Sequence, residues 1–152
     1  MNILKKIVYV IALCALCAAC AHHTKKEVMN KTVNIDSTAI VKQFTFENND
    51  EKNPATVFLT LSHDAGIDFK QLVLTFSHSF AGEESFAIPL GIPVVDARMN
   101  FTGTPQGDTV WQHEVVVLHE VYMHKGENIL QFVSDEGREL HGVRSIGLRV
   151  EQ

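Results

Sequence analysis

Histidine is the residue type best suited to chemistry here, because the chain contains eight histidines. His113 and His119 share one side of a predicted strand that His124 ends, but six strand residues span about 20 Å. One ion cannot bind both side chains without ligands from elsewhere, since zinc sites need tighter spacing. His22 and His23 are adjacent in a polar segment and would hold a metal only weakly. We therefore expect no metal site and solvent-facing histidines.

Two short runs contain the residue types of a hydrolytic triad. Residues 62–64 read Ser-His-Asp and residues 77–79 read Ser-His-Ser. Neighbouring residues of a strand point to opposite faces, so the groups of neither run converge. Neither serine lies on a sharp strand-to-helix turn. The expected strand pairing also places His63 and His78 far apart. We expect no catalytic residue and no enzymatic activity.

Paired carboxylates and aromatic side chains are the remaining candidates. The acidic pairs at 83–84 and 135–136 fall in predicted turns, where solvated carboxylates are the default. Phe101, Trp111 and Tyr122 offer an aromatic platform for a glycan. Trp111 and Tyr122, however, have opposite parity on one predicted strand and cannot line one surface. Core packing accounts better for at least one of them, and binding elsewhere on the domain stays open.

Cysteine points to a processing signal at the start of the chain. MNILKKIVYVIALCALCAAC has a basic head at Lys5 and Lys6, about ten apolar residues, and small residues before Cys20. The apolar part is too short to span a membrane and is typical of a cleaved export signal. The stretch resembles a bacterial lipoprotein signal, although Cys17 stands where leucine is usual. That resemblance implies cleavage before Cys20 and lipidation of its thiol and new amine; an ordinary cleaved signal is the alternative.

Composition limits the classes of partner. Removing residues 1–19 leaves 133 residues, enough for one domain. Losing Lys5 and Lys6 moves the formal net charge from −5 to −7, which argues against nucleic acid and against electrostatic docking on anionic lipids. All three cysteines precede residue 21. The mature domain therefore has no internal disulfide and must be stabilised by its core.

The chain divides into a signal (residues 1–19), a lipidated cysteine with its tether (20–38) and one domain (39–152). The tether is polar, although Val33 and Ile35 could begin a first strand. The run after Cys20 is His-His-Thr-Lys-Lys rather than acidic, which favours a periplasm-facing position on the outer membrane over export to the cell surface.

From residue 39 onward the pattern is that of strands. TVFLTLSH at 56–63 alternates apolar and polar residues, and with 69–80 it predicts a hairpin closed by an Asp-Ala-Gly turn. Two prolines make 86–95 an edge strand or crossover. Residues 109–123 are apolar on both faces and predict a central or bent strand; a helix there is the alternative. Six to eight such strands indicate an antiparallel β-sandwich, immunoglobulin-like or jelly-roll-like.

The order of these features resembles a known family. The lipoprotein signal, the tether, the segment KGENILQFVSD and the closing GVRSIGLRVE at 142–151 are similar to the gliding-motility lipoproteins of the GldH type from Bacteroidota. The closing segment is the most specific part. The stretch at 86–107 departs most from the family pattern, because an aspartate- and glycine-rich stretch is missing.

The resemblance implies a non-enzymatic lipoprotein of the outer membrane, anchored through Cys20. It would be a component or assembly partner of gliding-motility or secretion machinery, contacting other envelope proteins, with no cofactor and no nucleic acid. A glycan- or ligand-binding envelope lipoprotein is the alternative.

Overall fold

The computed structural model describes residues 25–35, 41–134 and 140–152. Within these residues the chain forms nine β-strands. They are β1 (Glu27–Asn34), β2 (Val41–Asn48), β3 (Ala55–Asp64), β4 (Gln71–Phe80), β5 (Glu83–Pro93), β6 (Thr104–Gln106), β7 (Val110–Val121), β8 (Gly126–Ser134) and β9 (Val143–Glu151). No helix in the described part of the chain is long and apolar enough to cross a membrane.

The strands form two antiparallel sheets. The five-stranded sheet has the order β1-β9-β3-β7-β6, and the four-stranded sheet has the order β2-β8-β4-β5. Alternate residues of each inner strand are buried, among them Leu59 and Leu61 of β3 and Leu74 and Phe76 of β4. Because strand residues alternate between faces, these side chains make one core between the sheets. The predicted antiparallel β-sandwich is confirmed.

The predicted hairpin of 56–63 with 69–80 is wrong. β3 pairs with β7 and β9 in one sheet, whereas β4 pairs with β5 and β8 in the other. The chain between them therefore crosses from one sheet to the other. Phe69, in this connection, is buried. Alternation specified which side of each strand is buried, but two strands facing each other across a core have the same alternation as two paired strands.

The start of the domain also differs from the prediction. Residues 27–34 were expected to belong to the tether, yet they form β1, which pairs with β9 at the edge of the five-stranded sheet. Met29 and Val33 of β1 pack against the core. The alternative in which Val33 and Ile35 belong to a first strand was nearer, because β1 contains Val33 and ends one residue before Ile35.

Other strand predictions are confirmed. The segment 109–123 contains β7, an inner strand between β3 and β6, and not a helix. The proline-containing segment contains β5, which pairs with β4 alone among the described strands and so forms an edge. Pro89 and Pro93 are tolerated there because an edge strand has one side that needs no ladder donors.

The sandwich has two ends, which carry different features. The N-terminal end comprises residues 25–27, the loop 49–54, the connection 122–125 and Gln152, since strands β3 and β8 begin there and β2, β7 and β9 finish there. The opposite end comprises the connections 65–70 and 94–103 and residues 140–142. Strands such as the ten-residue β3 separate the two ends by about 30 Å.

Candidate functional site

A pair of buried histidines lies at the opposite end of the sandwich. His63 is the penultimate residue of β3, and His113 lies on the neighbouring strand β7. The cross-strand register places Leu61 opposite His113, so the two imidazoles meet diagonally on the inner face. His63 is 0% exposed and His113 is 8% exposed. The expectation of solvent-facing histidines is therefore wrong for both residues, and also for His78, which is 5% exposed.

The hydrogen bonds of this pair determine its protonation. His63 Nδ1 lies 3.1 Å from the carbonyl oxygen of Asp64, which only accepts, so Nδ1 carries a proton. With the proton on Nδ1, the lone pair of His63 Nε2 can accept the bond from His113 Nε2–H, at 3.1 Å. Burial, and to a smaller degree the neighbouring His63, lowers the pKa of His113 below its ordinary value. Burial thus opposes a positive charge on His113 within this hydrogen-bonded pair.

Aromatic rings cover the pair. Trp111 stacks on His63 with ring centroids 5.8 Å apart, and Phe101 lies 4.4 Å from Trp111. Phe101 reaches this position from the connection 94–103. Gly103 in the same connection has a φ of +92°, and a Cβ there would lie 2.8 Å from His113 Nε2. The connection therefore approaches the histidines so closely that only glycine fits. Tyr122 is 71% exposed at the other end of β7 and takes no part.

The residues of the first triad-like run do not converge. Ser62 points to the outer face, where its Oγ lies 2.5 Å from Ser145 Oγ. The Asp64 carboxylate accepts the backbone N–H of Gly66 at 2.7 Å and forms an ion pair with Arg144. Among the described residues, no group of three histidine, cysteine or acidic side chains has the arrangement of a metal site. The site therefore consists of two buried imidazoles covered by the rings of Phe101 and Trp111.

His78 belongs to a second polar cluster, near the N-terminal end. It lies on β4 in the other sheet, so it is not on a strand paired with that of His63. Its Nε2 donates to Asn128 Oδ1 at 2.9 Å. The Asn128 amide in turn donates to the carbonyls of His124 and Gly126, and Asn48 donates to that of Met123. These buried amides donate hydrogen bonds to backbone carbonyl groups in the connection between β7 and β8. Their role is therefore structural.

The outer face of the four-stranded sheet carries no charged side chain at fifteen neighbouring positions, whereas Glu47, Glu84 and Glu127 lie on the same face at its N-terminal edge. We call the surface of these fifteen positions the uncharged face. Its members alternate with core residues along the four strands and are Val41, Gln43, Thr45, Gln71, Val73, Thr75, Ser77, Ser79, Ala87, Pro89, Gly91, Pro93, Ile129, Gln131 and Val133. Val41 is 59% exposed and Val73 is 40% exposed. The outer face of the five-stranded sheet differs, because Arg149, Glu114 and Glu151 form an ion-paired group on it.

A cleft of about 730 Å³ opens at the N-terminal end. Its lining includes Glu27, Glu47, Asp50 and Glu120 together with Lys25 and Lys26. Hydrogen bonds from Lys52 and Asn53 lower the pKa of Asp50 below its ordinary value, and Lys25 does the same for Glu120. Charged and polar side chains thus make up most of the lining, and Val28 and Pro54 are its apolar members.

Several sequence-based predictions lie outside the described residues. These are the lipidation of Cys20, the pair His22 and His23, and the acidic pair at 135–136. Glu83 and Glu84 are exposed where β5 begins, as expected for solvated carboxylates. The histidine pair, the uncharged face and the cleft were not predicted. The uncharged face alone had a detectable signal, since few charges occur at alternate positions of four strands.

Comparison with known proteins gives no family. No protein-family model matches the chain, and no curated protein matches it. Among solved structures, the chain is similar to one in a structure of infectious bursal disease virus Gx strain, at 12% identity and a TM-score of 0.31. That similarity covers 84% of this chain but only 31% of the viral one. A TM-score this low bears on neither fold family nor function.

Proposed function

We propose that this protein is a non-enzymatic lipoprotein of the cell envelope. Its lipidated Cys20 anchors it to the outer membrane on the periplasmic side, and its sandwich binds another envelope protein. In this proposal it is a component or assembly partner of a gliding-motility or secretion complex. The partner is a protein that presents an uncharged surface to the uncharged face.

The uncharged face is the observation that carries the proposal. A mature chain with a formal net charge of −7 has many charged side chains to distribute over its surface. The fifteen positions of this face carry none, while exposed Val41 and Val73 lie on it. Cores of protein interfaces are depleted in charged residues in the same way, and exposed apolar groups rimmed by polar ones mark interaction sites.

The closing segment contributes less support than its family resemblance suggests. Residues 142–151 are almost entirely β9, an inner strand of the five-stranded sheet. Ile146, Leu148 and Val150 lie in the core, and Arg149 stacks over the Phe58 ring at 4.0 Å. Packing alone explains this pattern. The motility or secretion role therefore rests on the signal and on the overall order of features.

Cross-linking in the cell tests the proposal. A photo-cross-linking amino acid at Thr75, in the middle of the uncharged face, should capture a protein of defined mass from the envelope. The same amino acid at Gln112, exposed on the outer face of the other sheet, is the matched control. Thr75→Glu should abolish recovery of the captured protein in a pull-down, whereas Gln112→Glu should leave it unchanged, because only the first places a charge in the interface.

The result is interpretable only if both variants fold. Each substitution is at an exposed strand position, so both should unfold within about 0.5 kcal/mol of the native chain. Equal capture from Thr75 and Gln112, or no capture from either, would contradict the proposal. Detection of a motility or secretion component among the captured proteins would support the assignment to that machinery.

Glycan binding is the second candidate, and one contact favours it. Phe101 and Trp111 form a half-buried aromatic pair at the opposite end, which is the kind of surface that stacks on sugar rings. Trp111 is the only tryptophan of the chain, so its fluorescence reports on this site alone. Titration with envelope glycans should then change the emission, and Phe101→Ala should weaken the response while leaving the fluorophore in place. Unchanged emission across a panel of glycans would eliminate this candidate.

A further inference from the structure

We propose that the N-terminal end of the sandwich is held against the membrane surface by a tether of four residues. This inference rests on the proposed lipid anchor at Cys20 and adds an orientation to it. The observation that carries it is the attachment of Lys25 and Lys26 to the sandwich. The domain begins at Lys25 instead of residue 39, so only residues 21–24 separate it from the lipid.

Several bonds attach the chain to the sandwich from Lys25 onward. Lys26 and Gln152 exchange two backbone hydrogen bonds, of 2.7 and 2.9 Å. The Lys25 ammonium donates to Thr56 Oγ1 at 3.1 Å and pairs with Glu120 at 3.0 Å. The N-terminal segment is therefore fixed to the end of the five-stranded sheet, and it cannot serve as additional tether without breaking these contacts.

The reach of the tether follows from chain geometry. Five Cα steps from Cys20 to Lys25 extend at most about 18 Å. A tether continuing to residue 39 would instead reach about 65 Å and would impose no orientation. The opposite end lies about 30 Å farther along the strands. The loop 49–54 is consequently close to the lipid headgroups, whereas the connection 94–103 with the histidine pair beneath it is exposed to the periplasm.

Charge does not contribute to this attachment. The cleft at the N-terminal end is lined by four carboxylates and two lysines. An end with this balance is not attracted to anionic lipids. The tether alone keeps it near the surface, so lengthening the tether should let the end move away.

The chain offers a matched pair of probe positions. Lys52 at the N-terminal end and Arg98 at the opposite end are both exposed cations in loops. Each follows an aspartate that accepts its backbone N–H, Asp50 at 2.9 Å and Asp96 at 2.8 Å. No cysteine follows Cys20, whose thiol carries the lipid. Lys52→Cys or Arg98→Cys therefore introduces the only reactive thiol into the mature lipoprotein.

The experiment measures quenching from the membrane surface. The lipidated variants are labelled with a fluorophore and placed in phosphatidylcholine vesicles whose headgroups carry a nitroxide quencher. We expect quenching to be several-fold stronger for the label at 52 than for the label at 98. Inserting ten Gly and Ser residues between Thr24 and Lys25 should reduce that difference to near zero.

Flotation of the vesicles separates the two levels of the proposal. A chain that does not float with vesicles overturns the lipid anchor and, with it, the orientation. A chain that floats but is quenched equally at both positions, or more strongly at 98, overturns the orientation alone and leaves the anchor intact.

Discussion

At the scale of single residues, the most constrained side chains are the two histidines. His63 uses Nδ1 to donate to a backbone carbonyl and Nε2 to accept from His113. Adding a proton to His63 Nε2 would turn both atoms of the shared bond into donors. A charge would also be placed in the core beside a second imidazole. The shared bond in this direction therefore needs an unprotonated His63 Nε2, whereas a proton on His113 Nδ1 would leave the bond intact and is opposed by burial, which lowers the pKa of His113.

Stability should therefore fall in mild acid. The pKa of His113 is lowered on folding by burial and by His63, so the unfolded chain binds more protons than the folded one below its own pKa of about 6.5. The contribution of neutral His113 to the free energy of unfolding is therefore present above about pH 6.5 and is lost as the pH falls below that value. Denaturant unfolding of the 25–152 chain between pH 8 and pH 5 measures the slope.

The variant His113→Gln should flatten that slope, because its amide N–H can still donate to His63 but does not titrate. His119→Gln, at an exposed position of the same strand, serves as the control and should retain the native profile. If His113→Gln unfolds with the same pH dependence as the native chain, the histidine pair is not the titrating unit.

Gly147 is a second residue with a physical requirement. A Cβ at this position would lie 2.4 Å from Thr60 Oγ1 and 2.7 Å from Thr32 Oγ1. We expect Gly147→Ala to destabilise the domain by about 1–3 kcal/mol, as overpacking does. Adding Thr60→Ala should restore part of the loss by removing the nearer clash. Denaturant midpoints of the native chain and the two variants decide the matter; a fully stable single variant would show that the threonines rotate away at no cost.

At the scale of elements, sequence patterns predicted strands better than their partners. β7 was expected to be an inner strand because it is apolar on both faces, and β5 was expected at an edge because of its prolines. The predicted pairing of β3 with β4 was wrong because alternation depends only on local sequence. The sheet that contains β3 is instead determined by the pairing of β3 with β7 and β9, which lie much later in the chain. β1 was missed because its polar residues face solvent at an edge.

Deleting β1 tests whether it is part of the domain. A chain beginning at residue 39, the predicted boundary, leaves the inner strand β9 with one side unpaired and removes Met29 and Val33, which pack against the core. We expect it to lose about 3 kcal/mol or more relative to the 25–152 chain and to aggregate through the new edge.

A peptide of residues 25–35, added in trans, should return the shortened chain to solution, since it can pair with β9. Thermal unfolding and light scattering measure both effects. Equal melting temperatures for the 39–152 and 25–152 chains would show that β1 contributes nothing to folding and that the longer tether applies.

At the scale of the whole molecule, composition and periodicity were sufficient to predict an all-β domain, but insufficient to predict its surfaces. The histidine cluster combines β3, β7 and the connection 94–103, and no spacing in the sequence brings Phe101 to Trp111. The uncharged face requires knowledge of which four strands share a sheet. The proposed function therefore depends on two features together: the proposed attachment at Cys20 and the faces that such an attachment would leave accessible.

The attachment itself gives the most decisive prediction. Each buried methylene of an acyl chain contributes about 0.8 kcal/mol, and one chain alone gives only reversible binding, whereas a triacylated Cys20 would not dissociate. We expect Cys20→Ala to move the protein from the alkaline-washed membrane fraction to the soluble one. Cys17→Ala is the matched control, because residue 17 precedes the cleavage site and should leave anchoring intact. A Cys20→Ala protein that stays in the washed membranes, with a mass showing that residues 1–19 were removed, would mean that the folded domain binds the envelope without lipid. The uncharged face would then have to provide that attachment as well as the contact with a partner.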